Sequence, residues 1–139
     1  MNYSIVGKYI KSLNFQIPNP QIYSLLSKKI ANYKINIDIK SAQVKQNIIE
    51  VLTSLRLTPV KDDFEKIDTK IIFSTIVEFS KESLTKEEMK KTILIDIPSK
   101  IYPELRRIFI FLFENSGFKD IKINETVDFE KLYKIRKVQ

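Results

Sequence analysis

Carboxylates have the widest scope for acid–base chemistry among the side chains of this 139-residue sequence, because it contains no histidine and no cysteine. That composition excludes a Ser-His or Cys-His nucleophile pair and a zinc site built from histidine and cysteine. The two glycines, Gly7 and Gly117, are too far apart to form a phosphate-binding loop. Two positioned acids can hydrolyse a glycosidic bond, but the pattern places no pair of acids at a common site. We therefore expect no catalytic residues, no metal site and no cofactor.

Positive charge is concentrated in the first part of the chain. Residues 1–61 carry nine basic and two acidic side chains, a difference equal to the whole net charge of +7. Such a basic segment attracts nucleic acid or an acidic protein surface. The chain has 20 lysines and only four arginines, however, and arginine is the residue that nucleic-acid sites favour. The composition therefore disfavours nucleic acid as a partner, and a basic nucleic-acid-binding module stays as an alternative.

The length and hydropathy suit a single folded domain, 1–139. Hydrophobic residues make up 43% of the chain, which is enough for a packed core. The most apolar run, Ile108–Phe113, is far shorter than the ~20 residues needed to cross a bilayer. Residues Met1–Phe15 alternate polar and apolar side chains and lack the apolar stretch of an export signal. We therefore expect a soluble cytoplasmic protein with no membrane insertion.

Alternating apolar and polar residues predict strands in the first half of the chain. An extended segment, Tyr9–Gln16, precedes a short predicted helix, Gln21–Ile30. In Tyr33–Lys40, every second position carries isoleucine, namely Ile35, Ile37 and Ile39. The same period of two occurs in Ile48–Val60 and Ile67–Phe79, and it places each apolar set on one face of a sheet. The short polar connections predict antiparallel pairing.

The middle of the sequence predicts one short helix and one further strand. Thr85-Lys86-Glu87-Glu88 has the Thr-x-x-Glu form of a capping box, so a helix is expected from there to about Lys91. In the following segment, Ile93–Ile97, isoleucine again occupies every second position, which is typical of a strand. The expected strand ends before Pro98.

Two helices are predicted in the C-terminal part of the chain. The long one runs over about Tyr102–Ser116, with Pro103 in its first turn and Gly117 as its C-cap. A shorter closing helix starts at Thr126 or Asp128, either of which can cap it.

The long helix is apolar around its whole circumference, since residues 108–113 are all isoleucine, leucine or phenylalanine. One side of it can pack on the sheet, but a small domain has little to cover the opposite side. A helix of this kind is either buried or at an oligomer interface. The alternative is a monomer in which the loop Phe118–Glu125 folds over the exposed side. We expect self-association, through Ile108, Phe109, Leu112 and Phe113.

Several segments of the sequence match the motifs of one known family in order and spacing. They are Tyr9–Asn19 (YIKSLNFQIPN), Ile49–Thr58 with its initial IEVL, Pro98–Pro103 (PSKIYP), Gly117-Phe118 and Val127–Tyr133 (VDFEKLY). The first resembles a Tyr-x-Lys-Asp-hydrophobic-x-Phe-Glu-x-Pro-Asn opening, and the last resembles a Val-Asn-Phe-Asp-x-Leu-Tyr ending. Together these segments extend over almost the whole chain. On these motifs the chain resembles the SecB family of export chaperones.

The resemblance implies a fold, an assembly and a function. The implied fold is α+β, an antiparallel sheet that carries a long helix from the C-terminal half on one face, with a shorter closing helix. The implied assembly is a dimer of dimers, a homotetramer with the long helices between the dimers. Family members are ATP-independent holdases that bind unfolded polypeptides in apolar grooves, and many deliver them to SecA. Unfolded or precursor polypeptides are therefore the expected partners. The groove residues implied by the matching motifs are Ile35, Ile37, Ile39, Tyr102, Phe129 and Leu132.

Three positions depart from the family pattern where it contacts SecA. Ser12 and Gln16 are neutral where the family has acidic residues, and Lys70 falls on a further acidic position. Because the SecA docking segment is basic, these changes remove the electrostatic complementarity and put a SecA handover in question. A second hypothesis is therefore a SecB-like chaperone dedicated to one partner, such as an antitoxin.

Overall fold

The structure, a computed structural model, describes residues 3–29, 33–59, 67–80, 84–118, 121 and 123–138. The strands are β1 (Tyr3–Gln16), β2 (Tyr33–Lys45), β3 (Ile48–Pro59) and β4 (Asp68–Phe79). The helices are α1 (Pro20–Lys29), α2 (Lys86–Lys91), α3 (Ile97–Asn115) and α4 (Phe129–Val138), and a π-helical turn, Thr92–Asp96, joins α2 to α3. All strand pairs are antiparallel in the order β1-β4-β3-β2. The predicted α+β fold is confirmed.

The two faces of the sheet differ in what covers them. On β4 the residues Ile71, Phe73 and Val77 are buried, and they belong to the hydrophobic core. Their register partners on β3 and β1 share the same face, because residues directly opposite each other in a sheet point the same way. The intervening residues, such as Lys70 and Ile72, point to the opposite side. We call that side the outer face.

Helix α3 lies on the core face of the sheet. Every fourth residue from the π turn onward is buried, which is the spacing of one helical face: Ile97, Ile101, Leu105, Phe109 and Phe113. At its C-terminal end, the ring of Phe113 meets that of Phe15 on β1 edge-on, with 4.9 Å between the ring centroids. Near its start, Glu104 accepts a hydrogen bond from Lys8 on the same strand. The helix is therefore held along β1 at two separate points.

The predicted strand over Ile93–Ile97 is wrong. These residues continue the helix that begins after Thr85, and the Ile97 amide donates to the carbonyl of Thr92, a π-type bond. Ile93 and Ile97 are buried and start the four-residue ladder of α3, so helical burial overrides the short period of two. The long helix thus begins at Ile97 rather than Tyr102, and Pro103 lies inside it.

Three predicted helix boundaries are confirmed by their caps. The Thr85 hydroxyl accepts a 3.1 Å hydrogen bond from the Glu88 amide, and Asp128 Oδ1 accepts one of 3.0 Å from the Lys131 amide. At the end of α3, Gly117 has a φ of 91°, in the left-handed region, and the Phe118 amide donates to the Phe113 carbonyl. The glycine is required there because a Cβ would lie 2.7 Å from the Tyr23 hydroxyl.

The described residues of the loop after α3 cover one flank of that helix. Phe118 and Ile123 are buried, and the Ile123 carbonyl accepts a hydrogen bond from Arg106 Nε. On the outer side of the helix Phe111 stays 62% exposed. In the part of the chain that the structure describes, no helix has the length and hydropathy to span a membrane.

Candidate binding groove

An apolar groove of about 230 Å³ opens beside strand β2. Its lining comes from three elements: β2, the π turn and α4. Aliphatic side chains dominate it, and Asp38 and Tyr133 are its polar members. The aliphatic residues of the lining are Ile37, Ile39, Leu94, Leu132 and Ile135.

Strand β2 supplies the floor of the groove because it is the terminal strand of the sheet. On its inner side it pairs with β3, with Ile37 opposite Leu55 and Ile39 opposite Thr53. Its other side has no strand beside it in the described sheet. Terminal strands leave backbone amides and carbonyls free to pair with an added chain. The groove therefore combines an apolar lining with backbone hydrogen-bonding groups.

Helix α4 forms the opposite wall, and buried aromatic rings hold it in place. The Phe129 ring packs edge-on against Tyr102 with 6.1 Å between the centroids, and both residues are almost fully buried. The Tyr102 hydroxyl donates a 2.6 Å hydrogen bond to the Asn124 carbonyl. Burial raises the pKa of this hydroxyl, because the phenolate would lose its hydration. Tyr102 thus stays protonated and anchors the segment that leads into α4.

The predicted groove residues divide into two groups. Ile37, Ile39 and Leu132 come together in the groove, and Leu132 is 43% exposed. Tyr102 and Phe129 are core residues beneath α4, so their side chains support the wall but do not reach its surface in this conformation. The remaining residue, Ile35, is partly buried against the core and is not in the lining.

Sequence reasoning missed two aliphatic groove residues. Leu94 lies in the segment that the sequence predicts as a strand. Only the burial of Ile93 and Ile97, four residues apart on one side of the π turn, indicates that Leu94 lies on another side of that turn. Ile135 follows Leu132 by three residues on α4, a spacing that places both on one helical face. Both α4 residues are close to half exposed, which is unusual for large aliphatic side chains on one face.

The residues predicted for the oligomer interface differ in their burial within the chain. Phe109 and Phe113 have no exposed surface, because they lie on the buried face of α3, where every fourth residue packs into the core. They are not available to a second chain in this conformation. Ile108 and Leu112 are only partly buried. The most exposed apolar side chain on the helix is Phe111, which the prediction omitted.

The three positions that depart from the family pattern lie on one surface. Ser12 pairs with Ile72, and Gln16 pairs with Asp68, in the antiparallel ladder between β1 and β4. Lys70 lies between those two partners on β4. All three predicted residues are therefore on the outer face, where Ser12 and Gln16 are exposed.

A second cluster on the outer face surrounds Glu50. Its carboxylate accepts hydrogen bonds from the Ser74 hydroxyl at 2.7 Å, from Lys11 Nζ at 3.0 Å and from the Tyr9 hydroxyl at 3.1 Å. The bonds from Ser74 and Lys11 lower the pKa of Glu50, since both stabilise its charged form. All three partners are occupied by structural bonds. Among the described residues, no group of three or more acidic, histidine or cysteine side chains is arranged to hold a metal ion.

The family model of SecB, described as preprotein translocase subunit SecB, matches residues 1–139 of this chain. A protein from Pelagibacter ubique, named as a SecB protein-export protein, is 42% identical over 135 residues, covering 97% of this chain and 96% of its own length. The protein-export protein SecB of Rhodospirillum rubrum is 28% identical over 136 residues, covering 95% and 80% of the two chains.

The fold also has a solved counterpart. A SecB-like chaperone from Mycobacterium tuberculosis, in complex with a ChAD peptide from an antitoxin, aligns with a TM-score of 0.62. The alignment covers 91% of this chain and 88% of that one, at 11% sequence identity. It shows a common fold, and the sequence matches over the full length establish the relationship. The chain belongs to the SecB family of protein-export chaperones.

Proposed function

We propose that the groove beside β2 is where this chaperone binds unfolded polypeptides, and that it acts by binding alone, without catalysis or a cofactor. The observation that supports this most is the pair Leu132 and Ile135, which leave about half of their surface exposed at an apolar groove. Exposed aliphatic surface accepts many sequences because it requires no fixed hydrogen-bond partner. A groove that binds only the unfolded chain holds that chain away from its folded state by mass action. We place this activity in the cytoplasm, where precursors await export.

The groove is tested by placing charge on its α4 wall. In the double variant Leu132→Asp/Ile135→Asp, a client would have to bury two carboxylates, so we expect affinity for a reduced, unfolded polypeptide to fall about tenfold or more. Val44→Asp is the matched control, because Val44 is 56% exposed and lies outside the groove lining. Equal binding by the double variant and the control would refute the groove as the client site.

We further propose that the chain forms a homotetramer through the apolar strip between β1 and α3. Ile10 and Leu13 lie on β1 between the two points at which α3 is attached, and both are more than 40% exposed. The corresponding stretch of α3 carries Ile108, Phe111 and Leu112. Light scattering should give a mass of about four times 16.4 kDa. The variant Phe111→Glu should reduce this mass and leave the helical content unchanged.

A second candidate is a chaperone dedicated to one partner. The structural counterpart from Mycobacterium tuberculosis carries an antitoxin peptide, and this chain lacks acidic residues at Ser12, Gln16 and Lys70 of the outer face. A dedicated chaperone binds one segment tightly and unrelated unfolded chains poorly, whereas a general holdase binds several with similar affinity. Competition between unrelated unfolded polypeptides for the same groove separates the two. SecA binding is the corresponding test for export, and we expect it to be weak because the outer face is not acidic.

A further inference from the structure

The outer face carries one row of four polar residues in direct register across the sheet. Asn14 on β1 pairs with Lys70 on β4, Lys70 pairs with Arg56 on β3, and Arg56 pairs with Asn36 on β2. Because neighbouring strands lie about 4.8 Å apart, the row is about 14 Å long and its two cations are adjacent. We call these four residues the basic row.

Among the described side chains, no acid forms an ion pair with either cation of the basic row. The ion pairs among the described side chains are Lys8–Glu104, Lys11–Glu50 and Lys134–Glu130, and none includes Lys70 or Arg56. Arg56 is exposed and Lys70 is half-buried, so both can be reached from solvent. Like charges directly opposite each other in a sheet destabilise it. The free chain therefore carries a local repulsion that an anion between the two side chains would relieve.

The charges around the row strengthen its positive field. Lys34 lies two residues from Asn36 on the same face of β2 and is exposed. Asp38, two residues further along, has an interaction of its own. Glu50 lies about 20 Å from Arg56 along β3, and its carboxylate is fully bonded to its own neighbours. Among the described side chains, Glu50 is therefore engaged away from the row, while Lys34 adds to the positive charge of the row.

We propose that the basic row is a docking site for an acidic segment of another protein. Carboxylate side chains of that segment contact Lys70 and Arg56. Its backbone N–H groups bond to the side-chain carbonyl of Asn36, whose Nδ2 donates to Thr58 Oγ1 at 3.0 Å. The row has a single arginine and no aromatic side chain, so it lacks the stacking platform and the repeated phosphate contacts of a nucleic-acid site. Charge complementarity therefore favours an acidic peptide.

This site is separate from the groove beside β2, which we call the client groove. The basic row lies on the outer face, whereas the groove is bounded by the edge of β2, the π turn and α4. An acidic partner and an unfolded client can consequently occupy the chain together. The proposal goes beyond client binding, since it gives the charge-altered outer face a partner of its own.

The test uses a fluorescent peptide of about twelve residues that alternates glutamate and serine, with a lysine–serine peptide as the charge control. Fluorescence anisotropy with the full chain should show binding of the acidic peptide alone, weakening as salt rises. Arg56→Glu/Lys70→Glu should weaken binding about tenfold or more, since it replaces two charge-assisted contacts by repulsion. Lys45→Glu/Lys90→Glu, which changes the net charge equally at two exposed sites outside the row, should weaken it less than about threefold.

A neutral variant keeps the test decisive if charge reversal disturbs folding. Arg56→Gln/Lys70→Gln removes the repulsion, so it should fold and still lose most of the peptide affinity. The proposal is overturned if the acidic peptide binds no better than the lysine–serine peptide, or if the row and control variants lose affinity equally. It is also overturned if a single-stranded oligonucleotide of equal charge binds more tightly and loses affinity in the same row variant.

Discussion

The hydroxyl of Tyr133 donates a 2.6 Å hydrogen bond to Glu87 Oε1, which joins α4 to α2 behind the client groove. Tyr133 itself contributes to the groove lining, and Leu132 is its neighbour on the exposed side. Tyr133 and Glu87 are 46 positions apart in sequence. This bond therefore fixes the distance between the α4 wall and the helix that leads into the π turn.

Removing that hydroxyl should weaken client binding without removing any apolar contact. We expect Tyr133→Phe to lower the free energy of unfolding by about 1–2 kcal/mol, because it removes a half-buried bond to a carboxylate. Affinity for an unfolded polypeptide should fall as the wall loosens. Tyr9→Phe removes another hydroxyl–carboxylate bond, to Glu50 on the outer face, and should leave client affinity unchanged. Urea denaturation and a binding titration measure the two effects, and equal client affinity in both variants would contradict the assigned role.

Replacing two phenylalanines on α3 by alanine should lower the unfolding free energy in ways that depend differently on protein concentration. Phe113→Ala opens a cavity in the core, so we expect a loss of about 3–5 kcal/mol in unfolding free energy at every concentration. Phe111→Ala removes an exposed ring, so its cost should come from weakened self-association and should vary with concentration. Urea denaturation at several chain concentrations checks this. A concentration-independent loss in Phe111→Ala would contradict an interface at that residue.

The Glu50 cluster should make stability depend on acid pH. The pKa of Glu50 in the folded chain is lowered below its ordinary value of 4.5, which applies to the unfolded chain. The stability that this carboxylate contributes is therefore fully present above pH 4.5. It is lost as the pH falls through the lower pKa of the folded state. We expect Glu50→Gln to be less stable than the parent chain at pH 7 and the difference to shrink below about pH 4.5. Glu130→Gln removes only an exposed ion pair and is the control, with little effect at either pH.

The two glycines should respond in opposite ways to alanine. Gly117→Ala forces a side chain into a left-handed backbone position and against the Tyr23 hydroxyl, which should cost about 1–2 kcal/mol or more. Gly7→Ala meets Ile76 Cδ1 at an ordinary 3.5 Å, so it should be neutral or stabilise the strand by up to about 1 kcal/mol. Thermal denaturation of the two variants compares them directly, and equal melting temperatures would contradict the strain at Gly117.

Neutralising one cation of the basic row should stabilise the chain when no partner is bound. Lys70→Gln removes the repulsion with Arg56, and we expect a gain of about 0.2–1 kcal/mol. Lys90→Gln, at an exposed position on α2, should change stability by less than this. Because the repulsion is screened by ions, the gain should shrink as salt is added, and a gain that is independent of salt would contradict this explanation.

Strands β2, β3 and β4 could be predicted from sequence because each keeps a single period over the predicted segment, whereas β1 has two register shifts that interrupt its alternation. The alternation of Ile35, Ile37 and Ile39 survives in the register of β2 on β3, and it places two of them in the groove. The caps at Thr85 and Asp128 were also predictable, since a side chain two or three residues from an amide decides them locally.

The π turn and the burial of two predicted groove residues, Tyr102 and Phe129, could not be derived in the same way. Ile93–Ile97 satisfies the period of a strand and that of a helix at once, and only the continuation of the ladder through Ile101 and Leu105 decides between them. Tyr102 lies five residues into α3 and Phe129 begins α4, and residue type does not reveal whether such an aromatic ring is core or surface. Their burial depends on where α4 packs, which is a long-range relationship.

The π turn also makes the chain tolerant of a shorter connection within Thr92–Asp96. A turn closed by a bond to the fifth preceding residue holds one residue more than an α-helical turn, so it behaves as a built-in insertion between α2 and α3. Deleting one residue there would restore an uninterrupted α-helix and leave α2 and α3 in nearly the same relative orientation. Deleting one residue from the regular helix of α3 would instead rotate the parts on either side by about 100° relative to each other. A single-codon deletion within the π turn should therefore damage the groove less than a single-codon deletion in the middle of α3.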